Sequence, residues 1–293
     1  MREEAVVFGR ASALVGVITD PSAVGGPAHA MAVILLNAGL LHRVGPHRLY
    51  VELARGLATQ GFVAFRFDFS GIGDSDVRRN SLPFEKSLVS EVQEAMDFLG
   101  RERGMERFLL MGLCAGALSA FNTARVDARV VGTVLINPQG YDADVTSRAD
   151  ARRYWKKVLR VLIDPRRWGG TMVHRARYPT MIDQLRRLLS AAPSAGDLRG
   201  EFVALIERGV EIFILFSSPH QPGVGELETI LGGRVGQLLD SGRLRIQTTG
   251  EASHTFEELR HQDQLREAVV GWTERMFAPA GPAQSRATGT DPR

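Results

Sequence analysis

Cysteine is nearly absent: the 293-residue chain holds one, Cys114. That excludes an intramolecular disulfide and any zinc site built on several thiolates. Long apolar runs are missing as well. No uninterrupted stretch approaches the ~20 residues needed to span a bilayer, and the opening Met1-Arg2-Glu3-Glu4 has no apolar signal core. A cytoplasmic protein with no membrane span is the expectation. Excess charge of one sign is scarce too: 36 Lys and Arg face 33 Asp and Glu, a formal net charge of +3. Nucleic-acid binding would need those cations gathered in a stripe with interleaved aromatics. The nearest approach, 148–167, sets Trp155, Val158, Leu159 and Leu162 at helical spacing, which reads as an amphipathic helix with a solvated basic face. No nucleic-acid partner is expected.

What is present is an ordinary soluble composition, 44% hydrophobic and 24% charged, enough for one large α/β domain. Compact apolar runs at 5–8, 14–19, 32–36, 62–67, 107–111, 130–136, 210–216 and 244–248 have the form of buried strands. Between them lie helical patterns at 48–60, 84–103, 115–126, 226–239 and 262–277. In 48–60 the apolar stripe is Leu49, Leu53 and Leu57; in 84–103 it is Leu88, Val92, Met96 and Leu99. Alternation at this rhythm predicts a mostly parallel central sheet with helices on both faces. The rhythm breaks over about 141–208, where basic amphipathic stretches replace strands; this reads as a helical cap inserted into a single domain of residues 1–277. Residues 278–293, rich in Pro, Gly, Ala and Ser, are expected to be a disordered tail.

The most informative stretch is Gly112-Leu113-Cys114-Ala115-Gly116-Ala117, lying between a predicted strand and a predicted helix. It has the form G-x-nucleophile-x-G. A nucleophile on a tight strand-to-helix turn needs small neighbours to let the turn close, and Gly112, Ala115, Gly116 and Ala117 provide them. Cys114 then stands at a helix N-terminus, where the dipole favours its thiolate.

Two further segments carry a resemblance. Asp68-Phe69-Ser70-Gly71-Ile72-Gly73-Asp74-Ser75 resembles the D-x-x-G-x-G-x-S loop of α/β hydrolases. The segment from Asn37-Ala38-Gly39-Leu40 through Arg43, Gly45, Pro46, Arg48, Leu49 and Tyr50 is similar to serine-aminopeptidase-like hydrolases found beside exosortase and biosynthetic gene clusters. The resemblance implies the α/β-hydrolase fold, with an oxyanion hole formed by the N–H of Ala115 and that of Leu40 or Gly39. Asn37 and Arg43 are expected at the same substrate-binding rim.

In that fold the histidine comes last, after the final strand. His254, in Gly250-Glu251-Ala252-Ser253-His254-Thr255-Phe256, matches the family's histidine loop, whereas His261 falls at the start of the last helix. The acid departs from the pattern: Ser217-Ser218-Pro219-His220-Gln221 follows the expected strand, with no Asp. Glu226 from the next helix, Asp142 after an earlier strand, and a Cys–His dyad remain open. The expected activity is cysteine-dependent acyl transfer on an ester, thioester or lactone, as a thioesterase, esterase or acyltransferase in natural-product or polysaccharide biosynthesis. A small-molecule acyl substrate, free or carrier-bound, and no cofactor or metal complete the expectation. The competing reading is a non-catalytic binding protein that kept the fold and lost its acid.

Overall fold

A computed structural model describes residues 1–10, 13–21, 29–78, 82–138, 198–221 and 235–277, together with Val224 and Leu227. Eight strands form one sheet: β1 (Arg2–Phe8), β2 (Leu14–Asp20), β3 (Met31–Leu36), β4 (Val63–Phe67), β5 (Arg107–Leu113), β6 (Val130–Ile136), β7 (Glu211–Phe216) and β8 (Leu244–Thr248). Their spatial order is β1-β2-β4-β3-β5-β6-β7-β8. β1 and β2 run antiparallel to their neighbours, and all pairs from β4 to β8 are parallel. Strands buried on both sides need no polar alternation, and the fully buried Met-Ala-Val-Ile-Leu-Leu run of β3 is of this kind.

The described helices are α1 (Leu49–Thr59), α2 (Phe84–Arg103), α3 (Ala115–Val126), α4 (Leu198–Glu207), α5 (Val235–Asp240) and α6 (Leu259–Phe277). They divide between two apolar layers, one on each face of the sheet. On one face Leu49, Leu53 and Leu57 of α1 pack with Leu265, Val269 and Trp272 of α6. On the other, Val92, Met96 and Leu99 of α2 join Ala117, Ala120 and Phe121 of α3 and Phe202 and Leu205 of α4. Each such aliphatic side chain contributes about 1.5–3 kcal/mol when fully buried.

At the end of the expected cap region, about 141–208, residues 198–207 form α4, which packs on α3: Phe202 lies 4.6 Å from Phe121 between ring centroids, and Arg125 pairs with Glu201. The rest of that region, the 148–167 stretch and the tail 278–293 lie outside the described residues.

Strand order places the site. From β3 the chain moves outward to β4, then returns to place β5 on the other side of β3. Open α/β sheets bind ligands at such a reversal, outside the carboxyl ends of the strands. The registers Leu36↔Gly112, Leu113↔Ile136 and Ile136↔Leu215 bring the ends of β3, β5, β6 and β7 to one level. Asn37, Cys114, Asn137 and Ser217 follow those ends.

Candidate active site

Cys114 links β5 to α3 with φ 57° and ψ −115°, torsions that are unfavourable for any residue with a side chain. The neighbouring glycines explain why the chain can turn so sharply. A Cβ on Gly112 would overlap the backbone of Gly116 and Ala117, and one on Gly116 would come within 2.7 Å of the Leu36 and Asn37 carbonyl oxygens. Strand, turn and helix approach more closely than side chains permit. From the strand side the turn is anchored by the Cys114 N–H, which donates to the Ile136 carbonyl at 2.9 Å. A second anchor is Tyr50, fully buried on α1. Its hydroxyl donates to the Leu36 carbonyl at 2.9 Å and accepts the Leu113 N–H at 3.0 Å. One phenol thus joins the ends of β3 and β5 beneath the elbow.

The loop after β3 turns tightly at Ala38–Leu41, where the Leu41 N–H donates to the Ala38 carbonyl at 3.2 Å. Gly39 takes φ 62° in this turn. Among the described residues, neither the Gly39 nor the Leu40 N–H has a hydrogen-bond acceptor, so both remain available to a ligand's oxygen.

Asn37 and Arg43, expected at the substrate rim, make hydrogen bonds within the loops that follow β3 and β4. The Asn37 amide donates to the Leu41 carbonyl (2.7 Å) and to Asp68 Oδ1 (3.1 Å), while its oxygen accepts the Phe69 N–H (2.9 Å). With 2% exposure it is a staple between the loops that follow β3 and β4. Arg43 pairs with Asp68, which is fully buried, and its guanidinium also lies 2.8 Å from Asp74 Oδ2. Asp68 further accepts the Arg43 N–H at 2.6 Å, and Gly73, at φ 52°, is glycine because a Cβ there would collide with the Asp68 carboxylate. Ser75 Oγ closes the loop by donating to the Asp68 carbonyl at 2.6 Å and accepting the Val15 N–H at 2.9 Å. The D-x-x-G-x-G-x-S pattern is therefore a scaffold. His42, Asp68 and Asp74 stand close enough together to hold a cation, but the Arg43 guanidinium already sits between the two carboxylates and supplies the positive charge.

His254 lies on the loop after β8, half-buried. Ala252 and Phe256 on either side of it pack into the same apolar layer that Cys114 adjoins. The Asn137 amide donates to the His254 carbonyl at 2.9 Å, and the Ala252 N–H donates to the Ser217 carbonyl at 2.9 Å. The loop is thus tied to the ends of β6 and β7. No described residue hydrogen-bonds the imidazole. Ser217, where an acid is usual, is fully buried and accepts the Gln221 amide at 2.8 Å on its hydroxyl. Glu226 and Asp142 lie outside the described residues. His261 falls within α6, buried, as expected.

The sequence reading overlooked Asn137 and the bridging role of Tyr50. Asn137 follows β6 in a stretch without motif, and its only sequence signal is an asparagine, tolerant of positive φ, at a strand end.

Residues 29–187, more than half of the chain, match the family described as Serine aminopeptidase, S33. The chain belongs to that family. Solved structures of similar fold include an esterase from Pyrococcus furiosus (13% identity, TM-score 0.65, covering 95% of this chain and 91% of the esterase). An α/β serine hydrolase without lid from Xanthomonas campestris aligns at 14% identity, TM-score 0.57, covering 96% and 97%. A proline iminopeptidase from Mycobacterium smegmatis aligns at 14% identity, TM-score 0.55, covering 93% and 98%. Among curated proteins none matches the sequence. The expected α/β-hydrolase fold is what the sheet and these likenesses show.

In this member of the serine aminopeptidase family the elbow carries a thiol whose protonation differs from the sequence expectation. Burial pushes the Cys114 thiol up to about 11, the Ala115 N–H opposing it only in part. The helix N-terminus was expected to favour the thiolate, but desolvation is the larger effect here. Burial also lowers His254 below the usual histidine value, and no described carboxylate counteracts it. At neutral pH the two groups are a thiol and a neutral imidazole.

Proposed function

We propose that this hydrolase of the serine aminopeptidase family acts on esters or thioesters through a covalent thioester on Cys114, with His254 as the base. The observation that carries the reading is the strained turn at Cys114, held by Gly112 and Gly116 against neighbouring backbone. Strain of this kind costs of order 1–3 kcal/mol and persists where a fold over-determines it. A buried structural cysteine needs none of it.

The steps balance without a cofactor. Cys114 Sγ attacks the substrate carbonyl carbon as its proton passes to the neutral His254 ring. The oxyanion so formed accepts hydrogen bonds from the Ala115 N–H and from the Leu40 or Gly39 N–H; one such donor is typically worth about 10²–10³ in rate. The C–O or C–S bond to the leaving group breaks, and that group takes the proton from His254. Water, an amine or an alcohol then loses a proton to His254 and attacks the thioester, and the thiol is restored. A thiol ionises far more readily than a hydroxyl, which supports a Cys–His dyad, no carboxylate bonding the His254 ring among the described residues. Ester chemistry also fits the esterase among the structural likenesses.

Hydrolysis of p-nitrophenyl or N-acetylcysteamine esters tests the reading. Cys114→Ala and His254→Ala are each expected to lower kcat by at least about 10³-fold, and an acyl adduct on Cys114 is expected by mass spectrometry. Because only the neutral imidazole accepts the proton, kcat/KM should rise with pH through a value below 6.5 and then level. Unchanged turnover in Cys114→Ala would discard the mechanism. The neutral, unactivated thiol and the absence of a described carboxylate beside His254 favour the second reading, a binding protein that no longer turns over substrate. A thiol that iodoacetamide labels equally slowly in wild type and His254→Ala would support it.

A further inference from the structure

Asn137 bonds the peptide of His254 and directly follows Ile136, whose carbonyl accepts the Cys114 N–H. It continues β6 one strand away from the elbow. Its own N–H donates to the Leu215 carbonyl at 2.8 Å. Its side chain is 1% exposed, and both ends are used. Oδ1 accepts the Ser217 N–H at 2.8 Å, and Nδ2 donates to the His254 carbonyl at 2.9 Å. The backbone stands at φ 44°, a left-handed conformation that asparagine tolerates better than most residues. A short buried amide therefore couples the end of β6, the β7 exit where an acid would ordinarily stand, and the histidine's own peptide.

We infer that Asn137 is a positioning residue that sets the depth and direction of the His254 ring by holding its backbone, a task otherwise shared by a carboxylate hydrogen-bonded to the imidazole. The inference rests on the proposed Cys114–His254 chemistry. Two features converge on it. No described residue hydrogen-bonds the imidazole, whereas the peptide that carries it is held by the Asn137 amide. The loop is tied to the end of β7 by the Thr249 N–H on the Phe216 carbonyl and the Ala252 N–H on the Ser217 carbonyl, and at His254 itself it is tied by the Asn137 amide, which also holds Ser217. Releasing His254 from this anchor lets water reach the ring, which undoes the burial that lowers its pKa.

The test compares wild type, Asn137→Gly, Asn137→Asp and His254→Ala in the full chain. Glycine keeps the left-handed backbone without strain and removes only the amide. Aspartate keeps the acceptor for the Ser217 N–H and sets a carboxylate oxygen against the His254 carbonyl in place of the donor, so its rate loss serves even where the glycine variant folds poorly; the acid limb is judged in Asn137→Gly, because a carboxylate's charge by itself raises an imidazole pKa. The readouts are the pH profile of kcat/KM on p-nitrophenyl acetate and of Cys114 alkylation by iodoacetamide. Both variants are expected to lose roughly ten- to a hundred-fold in kcat with little change in KM. Their acid limb should move upward toward the ordinary histidine value. A wild-type rate in either variant overturns the inference, as does a rate loss in Asn137→Gly without movement of the acid limb. If wild type and His254→Ala already behave alike, it is the Cys114–His254 mechanism that fails, and the inference falls with it.

Discussion

At position 114 the backbone is held at φ 57°, ψ −115°, and the usual ranking of substitutions reverses there. Alanine ordinarily stabilises relative to glycine because it restricts the unfolded chain. Here alanine keeps the strain and glycine releases it. Cys114→Gly is therefore expected to be more stable than Cys114→Ala by about 1–2 kcal/mol in urea unfolding, with both inactive. Equal stability, or alanine ahead, would mean the turn is not strained. Residue-scale legibility was uneven. The spacing Gly112-x-Cys114-x-Gly116 announced the turn because steric need falls on neighbours in the chain. The protonation of Cys114 was not legible. The helix N-terminus visible in the sequence pulls toward thiolate, whereas the burial that outweighs it comes from side chains far away in the chain.

At the scale of elements, α1 reaches the site through Tyr50. Its Leu49, Leu53 and Leu57 stripe was readable from periodicity, and all three are fully buried. Tyr50, between them in sequence, points its hydroxyl into the gap between the ends of β3 and β5. Burial there raises the phenol well above its ordinary value, so it stays neutral and keeps its proton for the Leu36 carbonyl. Tyr50→Phe leaves the Leu113 N–H and the Leu36 carbonyl without this partner, at a cost of about 1–3 kcal/mol. Activity should fall by more than the population of folded protein does, because the freed strand end carries Cys114. A variant that loses stability but retains wild-type kcat would show that the tyrosine supports the core alone. The loop elements teach a complementary lesson. Asn37 and Arg43 are expected at the substrate rim, and the Asp68–Ser75 segment carries the family resemblance. Most of their polar atoms bond to one another or to neighbouring elements, since a sharply folded loop over a buried carboxylate must find partners for the donors it encloses.

For the whole molecule, the parallel sheet with an apolar layer on each face is one structure in which the site depends on all strands from β3 to β8. No described helix is long and apolar enough to cross a membrane. Cys114 thereby becomes a probe of global unfolding. In His254→Ala, which lacks the base, alkylation at pH 8 is expected to be slow in the native state. It should rise across the urea transition monitored by circular dichroism, because unfolding returns the thiol to water and to its ordinary pKa near 9. Fast alkylation before the transition would mean the sulfur is not desolvated. Strand–helix alternation, the two helical stripes, the turn at Cys114 and the late histidine are local patterns or matters of chain order, and the amino-acid sequence determined them unaided. The tertiary structure alone decided which polar groups meet: Asn137 reaching the His254 carbonyl across 117 positions, Arg43 filling the space between Asp68 and Asp74, and α4 joining the sheet's outer layer. Such pairings follow from burial, which leaves each enclosed polar atom to find whatever partner the fold brings near, and no periodicity along the chain encodes that choice.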